Sequence, residues 1–273
     1  MSLKSALVSW LDDHAPGAIG VARYRFHVSY RGDIVYPKIT GPLFERLDSR
    51  RSSAIDVGAN VGIFTRYLCG RFESVTAVEP VPYLAERLAR SHPSNCRVEA
   101  VALGDSEGSV RLRIPVNAAG KEMPALSTAA SGNALSFIES ADMVEREVPC
   151  RRLDHVARDM RNLAFVKIDV EGFEAAVLAG ATEVLTKTRP VLQVEIGRAH
   201  NPRYREVLAM FDDAGFEAFS IQKDGLYRDP ERFIEQQPLS VSNDDAASPG
   251  GCWDCLFIPK ERSAALSEGL VQA

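Results

Sequence analysis

No stretch of this sequence approaches the roughly 18 to 20 uninterrupted apolar residues that a membrane-spanning helix requires, so no membrane partner is expected. No run of five or more Lys and Arg occurs, and the formal net charge is −5. Proteins that hold a long nucleic acid carry a basic footprint, so nucleic acid is not expected as a partner either. Cysteine is scarce: Cys69, Cys96, Cys150, Cys252 and Cys255 are the five, an odd number scattered too widely for a secreted disulfide framework. Cys252 and Cys255 have C-x-x-C spacing, but no second such pair and no nearby His completes a zinc set. They lead into the apolar run Leu256-Phe257-Ile258 and are read as packing. The N-terminus lacks the basic start, continuous apolar core and cleavage site of a secretory leader. Met1 to Asp13, with Lys4, Trp10, Asp12 and Asp13 among apolar residues, reads instead as an amphipathic helix of a cytoplasmic protein.

What is present is an ordinary globular composition, 45% apolar and 25% charged, on a chain long enough for a sizeable core. Arg23 to Tyr36 alternates around Arg31-Gly32-Asp33 and reads as a hairpin. From Ser52 onward short apolar strands alternate with helical segments. Strands are expected at Ser53 to Val57, Val75 to Val78, Arg97 to Leu103, Val110 to Ile114, Leu163 to Val170, Val191 to Ile196, Phe216 to Ile221 and Cys255 to Pro259. Helices are expected at Ile63 to Cys69, Pro82 to Arg90, Glu174 to Leu185 with a break near Gly180, and Tyr204 to Ala214. Such alternation implies an α/β fold, a mostly parallel sheet with helices on both faces. The expected division is an extension over residues 1–50, the main domain over 51–262 and a tail over 263–273. Pro115 to Cys150 and Gln222 to Gly251 interrupt the rhythm. Long connections in a compact domain are often functional, and the first is a candidate cover for a substrate.

The strongest signal is Ala54-Ile55-Asp56-Val57-Gly58-Ala59-Asn60-Val61-Gly62-Ile63-Phe64-Thr65. An apolar strand ends in a glycine turn and a helix begins near Gly62, a Rossmann-like arrangement that places a ligand beyond the carboxyl ends of the strands. The run does not fit G-x-G-x-x-G: Asn60 stands where the second glycine belongs, and Asp56 would set negative charge near a pyrophosphate. Both features suit a ligand that has no phosphate and carries an ammonium and a sulfonium, as S-adenosylmethionine (AdoMet) does. Asp56, Gly58, Asn60 and Gly62 are therefore candidate cofactor residues. The second strand ends in Val78-Glu79-Pro80, where Glu79 can accept hydrogen bonds from ribose hydroxyls, with Pro80 beside it. The third ends in Ala102-Leu103-Gly104-Asp105, which sets Leu103, Gly104 and Asp105 where an adenine is expected.

In these runs, in Lys167-Ile168-Asp169-Val170-Glu171-Gly172, in Glu174 to Gly180 and in Arg189 to Ile196, the chain resembles the FkbM-type family of class I methyltransferases. The resemblance covers roughly Ala54 to Ile221. It implies a seven-stranded sheet with an antiparallel last strand, AdoMet held by the first glycine turn with Glu79 on the ribose, and methylation of hydroxyl groups, often of sugars or secondary metabolites. A saccharide or small-molecule acceptor is the expected partner.

Asp169 and Glu171 lie at the carboxyl edge of the strand Leu163 to Val170 and are expected on one side by strand alternation. Asp169 is expected to face the reaction centre, contacting cofactor or acceptor, with Glu171 in support; His200, in the loop after the strand Val191 to Ile196, is a candidate base. Glu195 could join Asp169 around a divalent metal, although two ligands are fewer than such a site needs. No role is assigned to His14, His27, His92 or His155. A noncatalytic AdoMet-binding module is the main alternative, and an NAD-dependent oxidoreductase a weaker one.

Overall fold

The computed structural model describes residues 36–117, 120, 122–129, 142–199, 201–237 and 253–272. The expected N-terminal helix and, apart from Tyr36, the expected hairpin lie outside the described residues. In chain order the first elements are α1 (Pro37–Arg46), β1 (Ser53–Val57), α2 (Ile63–Cys69), β2 (Ser74–Val78), α3 (Pro82–Ser91) and β3 (Cys96–Glu99). Next come β4 (Ala102–Leu103), β5 (Gly108–Val116), β6 (Asp142–Arg151), α4 (Leu153–Ala157), β7 (Leu163–Ile168) and α5 (Glu174–Ala179). The last are β8 (Val191–Glu195), α6 (Tyr204–Asp213), β9 (Phe216–Gln222), β10 (Gly225–Arg228), α7 (Pro230–Glu235), β11 (Asp254–Pro259) and α8 (Lys260–Ser267).

Eight strands form one sheet in the order β10-β9-β11-β8-β7-β1-β2-β3. The strands from β3 to β8 pair in parallel, and β11 is antiparallel to both β8 and β9. The α/β class and the antiparallel last strand are as expected. The eighth strand, β10, is a correction: it folds back on β9 from within the polar stretch beginning at Gln222. Leu226, fully buried, supplies the apolar contact that the surrounding polar residues disguise.

Strands β1, β7 and β11 are buried along their whole length, because helices cover both faces. On one face α1 and α2 close over an aromatic cluster in which Phe44 meets Phe72 and Phe165 at ring-centroid distances of 4.9 Å. On the other face α5 and α6 pack Val177, Leu178, Val207 and Phe211 against Ile55, Val166 and Leu192. Full burial of one such aromatic or aliphatic side chain is worth about 1.5–3 kcal/mol. The helix expected from Glu174 to Leu185 does break at Gly180 and resumes as a π-helical turn at Val184–Thr188.

The strand expected over Arg97 to Leu103 is in fact two. Its first half is β3, at the edge of the main sheet; its second half is β4, which leaves that sheet and pairs with β6. Strands β4, β6 and β5 make a second sheet, so the strand expected near Val110 to Ile114 does not belong to the first. The end of the stretch read as an irregular connection, from Asp142, is strand β6. Its charged residues hid an alternation: Val148 and Cys150 point inward with Leu112 and Ile114, while Arg111, Glu145 and Glu147 stay in water. This inner face packs on Val81 and Leu84 at the start of α3, with Val61 of the glycine turn against the same cluster.

After β11 the chain continues as α8, and Leu266 and Leu270 are buried in the core that α1 shares. The amide of Leu226 donates to Leu270 O and that of Gln272 to Leu226 O, both at 2.8 Å, so residues 270–272 run along the open side of β10. Among the described residues no helix is long and apolar enough to cross a membrane.

Candidate active site

The chain runs outward from β1 to β2 and β3, then returns to place β7 on the other side of β1. Ligands in open α/β sheets lie at such a reversal, beyond the strands' carboxyl ends. Three turns meet here, after β1, β2 and β7.

In the turn after β1, Gly58, Asn60 and Gly62 all take left-handed backbone angles, with φ of 83°, 51° and 80°. Asn60 thus takes a left-handed conformation, which asparagine is among the few non-glycine residues to tolerate. The glycines answer to neighbouring protein atoms. A Cβ on Gly58 would lie 1.8 Å from Asp169 O, and one on Gly62 2.4 Å from Leu88 Cδ1. The amides of Gly58 and Ala59 donate to Val78 O at 2.9 and 3.0 Å, and Gly62 N donates to Ala59 O at 2.8 Å. Asn60 N donates to Glu79 Oε2 at 2.6 Å. These amides are committed inside the turn, so it is not the open amide cradle that a pyrophosphate needs.

Glu79 is buried, and its other oxygen, Oε1, accepts from Val81 N at 2.8 Å. Burial pushes its pKa up to about 7 against the lowering effect of the two amides. Each oxygen still has a lone pair beyond the one its amide uses, as a pair of ribose hydroxyls would need. Pro80, partly buried, follows it. Asp56 is enclosed: its Oδ2 accepts from Thr65 Oγ1 at 2.6 Å, and burial raises its pKa to about 6. It therefore braces β1 against α2. Leu103 is buried in the core, Gly104 is wedged against Cys150 Sγ and the Phe173 ring, and Asp105 is exposed beyond them.

The turn after β7 holds the remaining acids. Asp169 N donates to Val57 O at 3.0 Å, and the Asp169 side chain is 36% exposed, open to a ligand. Strand β7 ends at Ile168, and Glu171 and Gly172 take φ of 50° and 91°. Strand alternation therefore does not relate Glu171 to Asp169. The turn is held by Glu174, whose Oε1 accepts from Gly172 N at 3.1 Å and whose Oε2 accepts from Asn201 Nδ2 at 2.7 Å. Burial raises the pKa of Glu174 to about 7. Glu195, at the end of β8, has its pKa raised well above the carboxylate range by burial and then by Asp169. Among the described residues no three His, Cys, Asp or Glu side chains come together as a metal site, and Asp169 with Glu195 is not extended to one. His200 lies outside the described residues.

Several buried polar residues here were not singled out in the sequence. Lys167 Nζ lies 2.8 Å from Asp254 Oδ1 and 3.8 Å from Asp169 Oδ2. Gln193 Nε2 donates to Asp254 Oδ1 at 2.9 Å and Tyr36 OH to Asp254 Oδ2 at 3.1 Å. A charge or amide inside an otherwise apolar buried strand was the available signal for Lys167 and Gln193. Nothing in the sequence pointed to Asn201.

The Methyltransferase FkbM domain family matches residues 56–218. Methyltransferase FkbM from Methylobacillus flagellatus KT is 15% identical over 76% of this chain and 43% of its own, with a TM-score of 0.41. The chain thus spans less than half the length of that protein. Precorrin-6y C5,15-methyltransferase from Geobacter metallireducens GS-15 is 9% identical over 66% of this chain and 72% of its own, with a TM-score of 0.36. Curated protein sequences gave no match. The family match starts at Asp56 and takes in the glycine turn, Glu79 and the turn after β7, and the chain belongs to the FkbM methyltransferase family.

Proposed function

We propose that the protein transfers a methyl group from AdoMet to a hydroxyl of a saccharide or another small hydroxylated metabolite. The observation that carries this reading is the Glu79 carboxylate, aimed by the Asn60 and Val81 amides at the edge of the glycine turn. With the turn's amides committed and carboxylates buried around it, the donor set favours a cationic, phosphate-free ligand over a dinucleotide. AdoMet, when bound, supplies an electrophilic methyl group on a sulfonium.

The residues divide the work by position. Glu79 accepts the ribose hydroxyls. Asp169, exposed at the end of β7, takes the cofactor's ammonium and faces the acceptor, where a carboxylate can orient a hydroxyl or receive its proton. Glu171, lifted out of the strand pattern by its turn, supports it from the same loop. His200 is retained as a candidate base, and Leu103, Gly104 and Asp105 as the adenine side. Residues 1–50 are taken as an extension of the 51–262 methyltransferase domain. With a net charge of −5, a small acceptor in the cytoplasm suits the chain better than nucleic acid.

Calorimetric titration with AdoMet, its demethylated product and NAD, with and without Mg²⁺, tests the reading. AdoMet and product should bind and NAD should not; NAD binding without AdoMet would sink it. Methyl transfer from labelled AdoMet to a panel of hydroxylated acceptors then tests the acceptor class, and labelling of amines alone would reassign it.

A further inference from the structure

Lys167 is a cation inside β7 with no part in the reading above. In the parallel ladders it stands between Asp56 of β1 and Gln193 of β8, and its side chain is only 3% exposed. Burial opposes its charge, but Asp254, Asp169 and Glu195 around it hold its pKa above that of an ordinary lysine. Its anchor is fixed in turn. Asp254 accepts from Lys167 and Gln193 on one oxygen and from Tyr36 on the other.

A buried ion pair is a weak source of stability, because desolvation offsets most of its attraction. What a clamped ammonium does supply is a fixed point of charge. The carboxylate it can act on toward solvent is Asp169, whose Oδ2 lies 3.8 Å from Nζ. Asp169 also lies in the field of Asp56, Glu79, Glu174 and Glu195. Against these acids the Lys167 ammonium sets an opposite charge beneath the Asp169 carboxylate.

We propose that Lys167 is a positioning residue: clamped by Asp254, its ammonium fixes the Asp169 carboxylate at the end of β7 and through it sets the affinity for AdoMet. This rests on the AdoMet reading above. The test is a double-mutant cycle on AdoMet affinity, read by calorimetry in the full chain. Asp169→Asn should weaken binding on the order of tenfold, the scale of a lost charge-assisted hydrogen bond. Lys167→Met should weaken it similarly, and the double variant should bind no worse than Asp169→Asn alone. Losses that multiply would overturn the proposal, since a merely structural lysine acts independently of Asp169. Failure of the wild-type protein to bind AdoMet would instead overturn the cofactor reading, and the proposal with it.

Lys167→Met strips a buried aspartate of its cation and can prevent folding, so a second measurement leaves position 167 intact. In protein labelled at lysine ¹⁵Nζ, the buried ammonium should give a slowly exchanging resonance. Saturating AdoMet should shift it in the wild type and leave it in place in Asp169→Asn. Equal shifts in the two proteins would overturn the proposal.

Discussion

The turns after β1 and β7 build adjoining walls of the candidate site by opposite means. The first is made of backbone: its amides close on Val78 O and Glu79, and its two glycines admit almost no added volume. The second is made of side chains: Glu174 and Asn201 hold it from one direction and the Lys167–Asp254 pair lies beneath it. A wall of backbone is set by sterics, and Glu79 is the titratable group that its amides hold. A wall of buried charges is set by which groups are ionised, and so answers to solution conditions and to the charge of its ligand.

That contrast can be broken or sharpened experimentally. The largest effect is expected from Gly58→Ala. Its Cβ would collide with Asp169 O at a φ of 83°, and overpacking with left-handed strain should cost about 3–4 kcal/mol. Urea unfolding measures this, and a cost under about 1 kcal/mol would mean the backbone wall is not rigid.

Next comes the pH response of AdoMet binding. Glu79 has a pKa of about 7, and its ionised form is the better acceptor for ribose hydroxyls. Affinity should therefore rise about tenfold, or about 1.4 kcal/mol, as pH goes from about 6 to about 8. Glu79→Gln should flatten the profile. Protein stability should move the other way. Glu79 and Glu174 have pKa values raised by burial, so the folded state holds more protons than the unfolded one. Their contribution is fully present below the usual carboxylate pKa and is lost as pH rises through about 7. An affinity independent of pH would detach Glu79 from the ligand.

The smallest effect is expected from Thr65→Val, which removes the hydroxyl on Asp56 Oδ2 without changing shape. A loss of about 1 kcal/mol in stability is expected, with little change in AdoMet affinity. A large loss of affinity at unchanged stability would return Asp56 to the ligand.

The backbone wall was the more legible in sequence. Glycine spacing, acidic residues at strand ends and apolar five-residue runs encode a local turn, and the mostly parallel character of the main sheet followed from strand–helix alternation. The charged wall was only half legible. Asp169 and Glu171 were visible because they directly follow a strand. Their supports, Asp254 and Asn201, come from distant parts of the chain, and long-range pairing leaves no local pattern. The second sheet was hidden for a related reason. Strand β6 carries Glu145, Arg146 and Glu147 in succession, and its apolar face emerges only once β5 is its partner.

An open sheet offers its outermost strand to any other chain with unpaired backbone groups. Here the side of β10 is already occupied by residues 270–272 of the same molecule. Gly225 lets them lie close, since a Cβ there would stand 2.4 Å from Gln272 Nε2. The closing segment thus acts as a selvedge: while it stays in place, that border of the sheet is finished, and growth of strand-to-strand aggregates from it is blocked at the start.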